Sequence, residues 1–167
     1  MIGKGKSISH GVAALEYDLA KEINGQAVAT EIARHELYGC TGAEMVQEMK
    51  PYHIDFPNVK NNCLRFEVSP SIEESATFTD ADWAELGNDF MQRMGLANHQ
   101  YIIIRHSGTE SKKEQAHLHI LANRVSLSGE LYRDNWIGKK ATEAANAIAQ
   151  ERNFVQSQDI GKVNKAE

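Results

Sequence analysis

The run Ala116-His117-Leu118-His119-Ile120-Leu121-Ala122-Asn123-Arg124-Val125 constrains this chain more than any other stretch. It reads as a buried strand. Strand side chains alternate between faces, so His117, His119, Leu121 and Asn123 share one side while Leu118, Ile120 and Ala122 share the other. Two imidazoles on one face form half of a metal site, because a divalent ion needs several donors converging from neighbouring positions. The preceding apolar run, Tyr101-Ile102-Ile103-Ile104-Arg105-His106, ends in a third imidazole. If the two runs pair antiparallel across residues 107–116, His106 lands near His117 and three imidazoles meet.

At 167 residues the chain is long enough for one domain with its own core. No apolar run approaches the roughly 20 residues that span a bilayer, and no apolar stretch follows the N-terminal lysines as in a signal peptide. Cys40 and Cys63 are widely spaced with no CxxC, which reads as two free thiols in a reduced, cytoplasmic setting. The net charge of −5 argues against a general nucleic-acid binder. A local basic strip would still serve phosphate, and Lys4, Lys6, Arg65, Arg105, Lys112, Lys113, Arg124, Arg133, Lys139 and Lys140 supply candidates, most of them flanking the histidines. A solvated face explains the same lysines equally well.

In chain order, Ser9 is placed to cap a helix through residues 12–20 that contains Tyr17. Residues 26–50 read as two helices, the first on Ala27, Val28, Ile32 and Ala33, the second on Met45, Val46 and Met49. Gly39-Cys40-Thr41-Gly42 breaks them, Thr41 and Glu44 fit a capping box, and Pro51 ends the second. His35 falls in the first and reads as structural. Leu64-Arg65-Phe66-Glu67-Val68-Ser69 alternates as a half-buried strand. If its polar side joins the histidine face, Arg65 can meet a phosphate and Glu67 can orient a histidine; a solvent-facing polar side is the plainer alternative. A helix opens at Thr79 and runs through Met94, with Trp83, Leu86, Phe90 and Met94 as a packing stripe. A turn at 126–130 leads to a short strand at 131–133, and a last helix spans 139–151. Domain limits of 1–155 follow, with a polar, flexible tail over 156–167. The fold class is α+β, an antiparallel sheet with helices packed on one face and the histidine face left for ligand.

His106, then His117-x-His119, then Asn123-Arg124 resembles the three-histidine signature of plasmid mobilization relaxases, the HUH-type nicking endonucleases. The opening residues 1–10, Val68-Ser69-Pro70-Ser71, Ser128-Gly129-Glu130 and Asp134-Asn135-Trp136-Ile137-Gly138-Lys139 extend the likeness to roughly residue 150. The loop 107–116 is longer than the family's usual link between its first histidine and the pair. The resemblance implies a nucleophilic tyrosine near the N-terminus, and Tyr17 sits where that motif does. It implies His106, His117 and His119 as ligands of Mg2+ or Mn2+, although three imidazoles by themselves fit Zn2+ as well. It further implies single-stranded DNA at an origin of transfer as substrate, a 5′-phosphotyrosyl intermediate, and auxiliary mobilization proteins and coupling machinery as partners. Arg65, Glu67, Asn123, Arg124 and Lys139 are the accompanying candidates for contacts to DNA or to the ligands. His10 and Glu16 lie near Tyr17 in sequence. The alternatives are a rolling-circle replication initiator, whose tyrosine usually follows the histidine pair on a helix, a non-catalytic DNA- or metal-binding protein, and a zinc hydrolase.

Overall fold

The computed structural model describes residues 1–108 and 115–156. Strand β1 (Ile2–Ile8) leads into helix α1 (Gly11–Leu19) and a small hairpin of β2 (Glu22–Ile23) and β3 (Gln26–Ala27). There follow β4 (Ala29–His35), α2 (Gly42–Met49), a 3-10 turn at Lys50–His53, β5 (Cys63–Ser69) and the single turn α3 (Ile72–Ser75). Helix α4 (Asp80–Arg93), the pair β6 (Tyr101–His106) and β7 (His117–Asn123), and α5 (Ile137–Glu151) complete the chain. Five strands form one antiparallel sheet in the order β1-β5-β7-β6-β4. The pattern is α+β, as expected.

The alternation expected of the two apolar runs sets the layers. Leu64, Phe66, Val68, Ile103, Leu118, Ile120 and Ala122 meet α4 and α5 in the larger core, with Trp83, Leu86 and Phe90 on the stripe of α4. A Thr79–Asp82 capping box starts that helix. On the opposite face, Cys63, Ile102, Ile104 and Leu121 form a second core with Ala14 and Leu15 of α1 and Met45 and Met49 of α2. The expectation of helices on one face therefore holds for the two long helices, while the short pair packs on the Ile102, Ile104 and Leu121 end of the other face. The stripes of α1 and α2 are apolar except for Asp18 near the end of α1 and need cover, and Leu121 and Ile102 offer them an apolar surface.

The first of the two helices expected over 26–50 is instead β3 and β4. The apolar spacing of Ala27, Val28, Ile32 and Ala33 suits a helix, but β4 is an edge strand on β6 with a bulge between Glu31 and Ala33. The bulge breaks the two-residue period and imitates a helical one. His35 accordingly lies at a strand end, one ring nitrogen 2.7 Å from His99 O and its ring against Tyr101. Asn24 and Gly25 both take positive φ in the hairpin turn, the usual chemistry of a two-residue loop. Smaller differences concern ends. His10, not Ser9, precedes α1 and caps nothing with its side chain. Thr41 does accept from Glu44 N, but the Glu44 carboxylate takes the N–H of Cys40 instead of closing the box. The strand at 131–133 reduces to one bridge, Val125 to Leu131, and the last helix begins two residues earlier than read. Both cysteines are free; burial pushes the Cys63 thiol up to about 11. Beyond residue 156 the expected tail lies outside the described residues, as does most of the loop 107–116.

Edge strand β1 carries α5 directly on its backbone. A Cβ at Gly3 would collide with Ala141 O and sit 2.8 Å from Ala145 Cβ, so glycine is what allows this approach. Gly3→Val is expected to lower stability by about 2 kcal/mol or more, through displacement of α5, in urea unfolding followed by circular dichroism. Gly138, whose added Cβ would make only an ordinary 3.7 Å contact with Gly5 O, serves as the control as Gly138→Ala.

Candidate active site

The antiparallel register of β6 on β7 sets His106 directly opposite His117. His119 follows two residues along on the same face, so the three imidazoles converge as the spacing anticipates. One donor atom from each lies within 4.8 Å of the others. The ring centroids are 5.4 Å apart for His106 and His117, 4.3 Å for His106 and His119, and 4.9 Å for His117 and His119.

The outward nitrogens decide which atoms face inward. His106 Nε2 lies 2.7 Å from the carbonyl oxygen of Asp18, and His117 Nδ1 lies 3.0 Å from that of Gln115. A carbonyl can only accept, so each of those nitrogens carries its proton, and Nδ1 of His106 and Nε2 of His117 keep free lone pairs. His119 Nδ1 faces a carboxylate oxygen of Asp18 at 3.9 Å, and its Nε2 stands 3.1 Å from His117 Nε2. Two lone-pair nitrogens this close repel unless a cation or proton lies between them. Metal–nitrogen bonds of roughly 2.1 Å at ordinary coordination angles would hold two ligands about 3.0–3.4 Å apart. The donor set therefore suits a divalent ion: the His117–His119 pair already stands at coordination spacing, and protein oxygens hold the outward nitrogens of His106 and His117 as metal-binding histidines require.

Burial favours the neutral, metal-binding form of His106 and His119. His119 is pushed down to about 2, chiefly by burial and then by the charges of His106, His117, Arg65 and Lys21. His106 is also lowered, burial again being the largest cause.

Asp18 is the residue that the sequence reading missed. It is 1% exposed, and its carboxylate receives Arg65 at 2.5 and 3.2 Å while its backbone holds His106. Burial raises its pKa, and Arg65 opposes the rise. A signal was present: Gly11, Ala14, Leu15 and Asp18 occupy the buried stripe of α1, and a carboxylate on such a stripe calls for a partner.

The other candidates divide by location. Arg65 and Glu67 do lie on the histidine face, Glu67 opposite His119 in register and 3.9 Å from His117 Nε2. With Lys4, Gly5, Lys6, Phe66 and His119 they line a cleft of about 210 Å3. Tyr17 is 57% exposed on α1, beside Asp18 in sequence, and Lys21 Nζ donates to its hydroxyl at 2.7 Å. Glu16 is turned away, toward the N–H of Ala43 at the start of α2. Asn123 is fully buried; its amide serves His53, Gln100, Met49 and Val125, which leaves it no surface for DNA. Arg124 ties the 131–134 segment to the sheet through Tyr132 O and Asp134. Lys139 is exposed on the first turn of α5, 3.9 Å from Glu143.

The sequence matches the family described as Relaxase: MobA/VirD2-like, nuclease domain, over residues 17–154. The chain belongs to this family. No curated protein matches it. In this relaxase domain the match spans Tyr17, Asp18, the three histidines and the start of α5, and DNA nicking in mobilization is the family's activity. No helix among the described residues is long and apolar enough to cross a membrane.

Two expectations follow. In Asp18→Asn the loss of charge beside His119 and Arg65 is expected to weaken Mn2+ binding about 10–100-fold by calorimetry, with the fold retained. For pH, an unfolded imidazole takes up a proton near 6.5, whereas folded His119 stays neutral down to about 2. Protons then favour the unfolded chain throughout that interval, and stability rises with pH until it levels above about 6.5. The metal-free protein should lose up to about 1.4 kcal/mol per pH unit at this site on acidification below 6.5, and His119→Gln should flatten that slope in urea titrations.

Proposed function

We propose that this relaxase domain nicks one strand of single-stranded DNA at an origin of transfer by transesterification, with Tyr17 as nucleophile. The observation that carries the reading is the seating of α1: Asp18 touches the surroundings of two of the three imidazoles, and Tyr17 is its neighbour. The phenolic oxygen of Tyr17 attacks the scissile phosphorus, the bond from phosphorus to the 3′ oxygen breaks, and that oxygen leaves with a proton as a free 3′ hydroxyl. The tyrosine's own proton passes to solvent. The product is a 5′-phosphotyrosyl ester, whose energy is close to that of the bond broken, so the same residues rejoin the strand in reverse.

His106, His117 and His119 would hold the divalent ion. When bound, it supplies positive charge to the non-bridging phosphate oxygens and orients the phosphate for in-line attack. Mn2+ suits an imidazole set better than Mg2+ does and is the expected ion in vitro. Glu67 and Asp18 fix the ring orientations, and Lys4, Lys6 and Arg65 give the cleft its affinity for phosphate. The setting is the cytoplasm, with auxiliary mobilization proteins and coupling machinery delivering the DNA. A rolling-circle initiator is disfavoured because α5, the helix after the histidine pair, contains no tyrosine.

Covalent trapping tests this. Wild-type protein with Mn2+ and single-stranded oligonucleotides tiling an origin region should form a protein–DNA conjugate visible by intact mass. Chelation and Tyr17→Phe should each abolish it. A conjugate surviving in Tyr17→Phe would move the nucleophile elsewhere, and absence of both conjugate and cleavage across the tiling, with metal bound, would favour a DNA-binding role without catalysis.

A further inference from the structure

Trp136 is a bulky residue in an unfavourable place. Its backbone is left-handed, with φ of 59° and ψ of 25°, a conformation that glycine and asparagine adopt easily and large side chains rarely do. Its indole is 76% exposed, whereas the other tryptophan, Trp83, is 2% exposed in the core. Packing therefore does not account for the side chain, and the turn into α5 would be better served by a smaller one. Strain held at an exposed aromatic is a mark of use.

The surroundings show what it would be used on. Asp134 accepts from Ser7 Oγ at 2.7 Å and pairs with Arg124, which pins the turn to the end of β1. A Cβ on Gly138 would lie 3.7 Å from Gly5 O, so the start of α5 runs beside the strand whose Lys4, Gly5 and Lys6 line the histidine cleft. Lys4 and Lys6 on β1, Arg133 before the turn and Lys139 on the first turn of α5 are all exposed. An exposed indole where α5 starts against β1, the edge strand whose Lys4 and Lys6 line the histidine cleft on the other face, suits the way proteins hold single strands, with bases stacked on aromatic rings and the backbone tracked by lysine and arginine. The occupant is unpaired DNA, since a duplex hides its base faces.

We infer that Trp136 is a stacking platform for one base of the single-stranded DNA that enters the cleft along β1. This rests on the DNA-nicking reading but is independent of the identity of the nucleophile.

Binding to a deoxythymidine oligonucleotide, followed by anisotropy of a labelled strand and by intrinsic fluorescence with unlabelled strand, tests it. Wild type should show tryptophan quenching that saturates with binding. Trp136→Phe, which leaves only Trp83, should bind within about threefold of wild type without quenching. Trp136→Ala should bind roughly tenfold more weakly. Trp136→Gly should likewise bind weakly yet melt higher than wild type, because glycine relieves the left-handed turn. Unaltered fluorescence at saturation, wild-type affinity in Trp136→Ala, or a lower melting point in Trp136→Gly would each overturn the proposal. Because binding is read without cleavage, the proposal can fail while Tyr17 still forms its conjugate, and can hold if it does not.

Discussion

The contact between Asp18 and the histidine face governs how the rest of the site is built. Helix α1 lies on the sheet because Gly11 permits close approach to Cys63, whose Sγ would stand 2.7 Å from a Cβ at that position, and because Ala14 and Leu15 fill the space beyond. That seating carries Asp18 to the end of the apolar patch, where the sheet changes from Leu121 and Ile104 to His119 and His106. A buried carboxylate is costly without a partner. Arg65 from β5 offsets that cost, and the same carboxylate and carbonyl orient two imidazoles. One residue thus couples a helix, three strands and two of the three rings. Removing either charge would leave the other poorly solvated, so the pair adds to the packing that seats the helix bearing Tyr17.

The rows of the sheet explain how a chain of net charge −5 can present a surface fit for phosphate. Residues paired across antiparallel strands share a face, so Lys4, Glu67, His119 and Ile104 form one row, while Lys6, Arg65, Leu121 and Ile102 form the next. Basic side chains enter these rows from β1 and β5 and imidazoles from β7. Much acidic charge sits elsewhere: Asp80, Asp82, Glu85 and Asp89 belong to α4, against the other face. Separation of charge between faces makes the net value a poor guide to what one face attracts.

Much of this arrangement was legible in the sequence, for reasons that differ by element. The meeting of His106 with His117 and His119 followed from two apolar runs of opposite direction, since alternation leaves few registers that bury both. The stripe of α4 was equally plain. Residues 26–35 were not, because the β4 bulge destroyed the period on which a strand is recognised. Asn24-Gly25 is hairpin chemistry that went unread, and strands of two residues carry too little pattern to outweigh the false helical spacing. Asp18 and Lys21 escaped for another reason: their roles depend on where α1 lands, which is a tertiary fact. Asn123, by contrast, was placed on the correct face but serves as a buried junction for four neighbours, a distinction only packing reveals.

Face and position along β7 together fix what each of its inward residues can do. His117, His119, Leu121 and Asn123 point the same way, yet they meet successively Gln115 and Glu67, Asp18 and the cleft, the α1 core, and the α2 turn with Gln100. Polar chemistry is confined to the two ends because α1 and α2 seal the middle. At the Asn123 end every polar atom is satisfied by protein, so nothing remains to bind. At the histidine end the outward nitrogens of His106 and His117 are held by carbonyl oxygens, the inward nitrogens of His117 and His119 meet only each other, and the adjoining cleft is lined from β1. From Lys4 on β1 to His119 on β7 is two strand spacings, roughly 10 Å. A strand of DNA crossing the sheet in that direction would set one phosphate among the lysines and a nearby one at the imidazoles, with Trp136 at the β1 border. The sheet's order, with edge strand β1 on the cleft side and the hairpin-linked β4 on the other, therefore gives the site an open flank from which a single strand can enter.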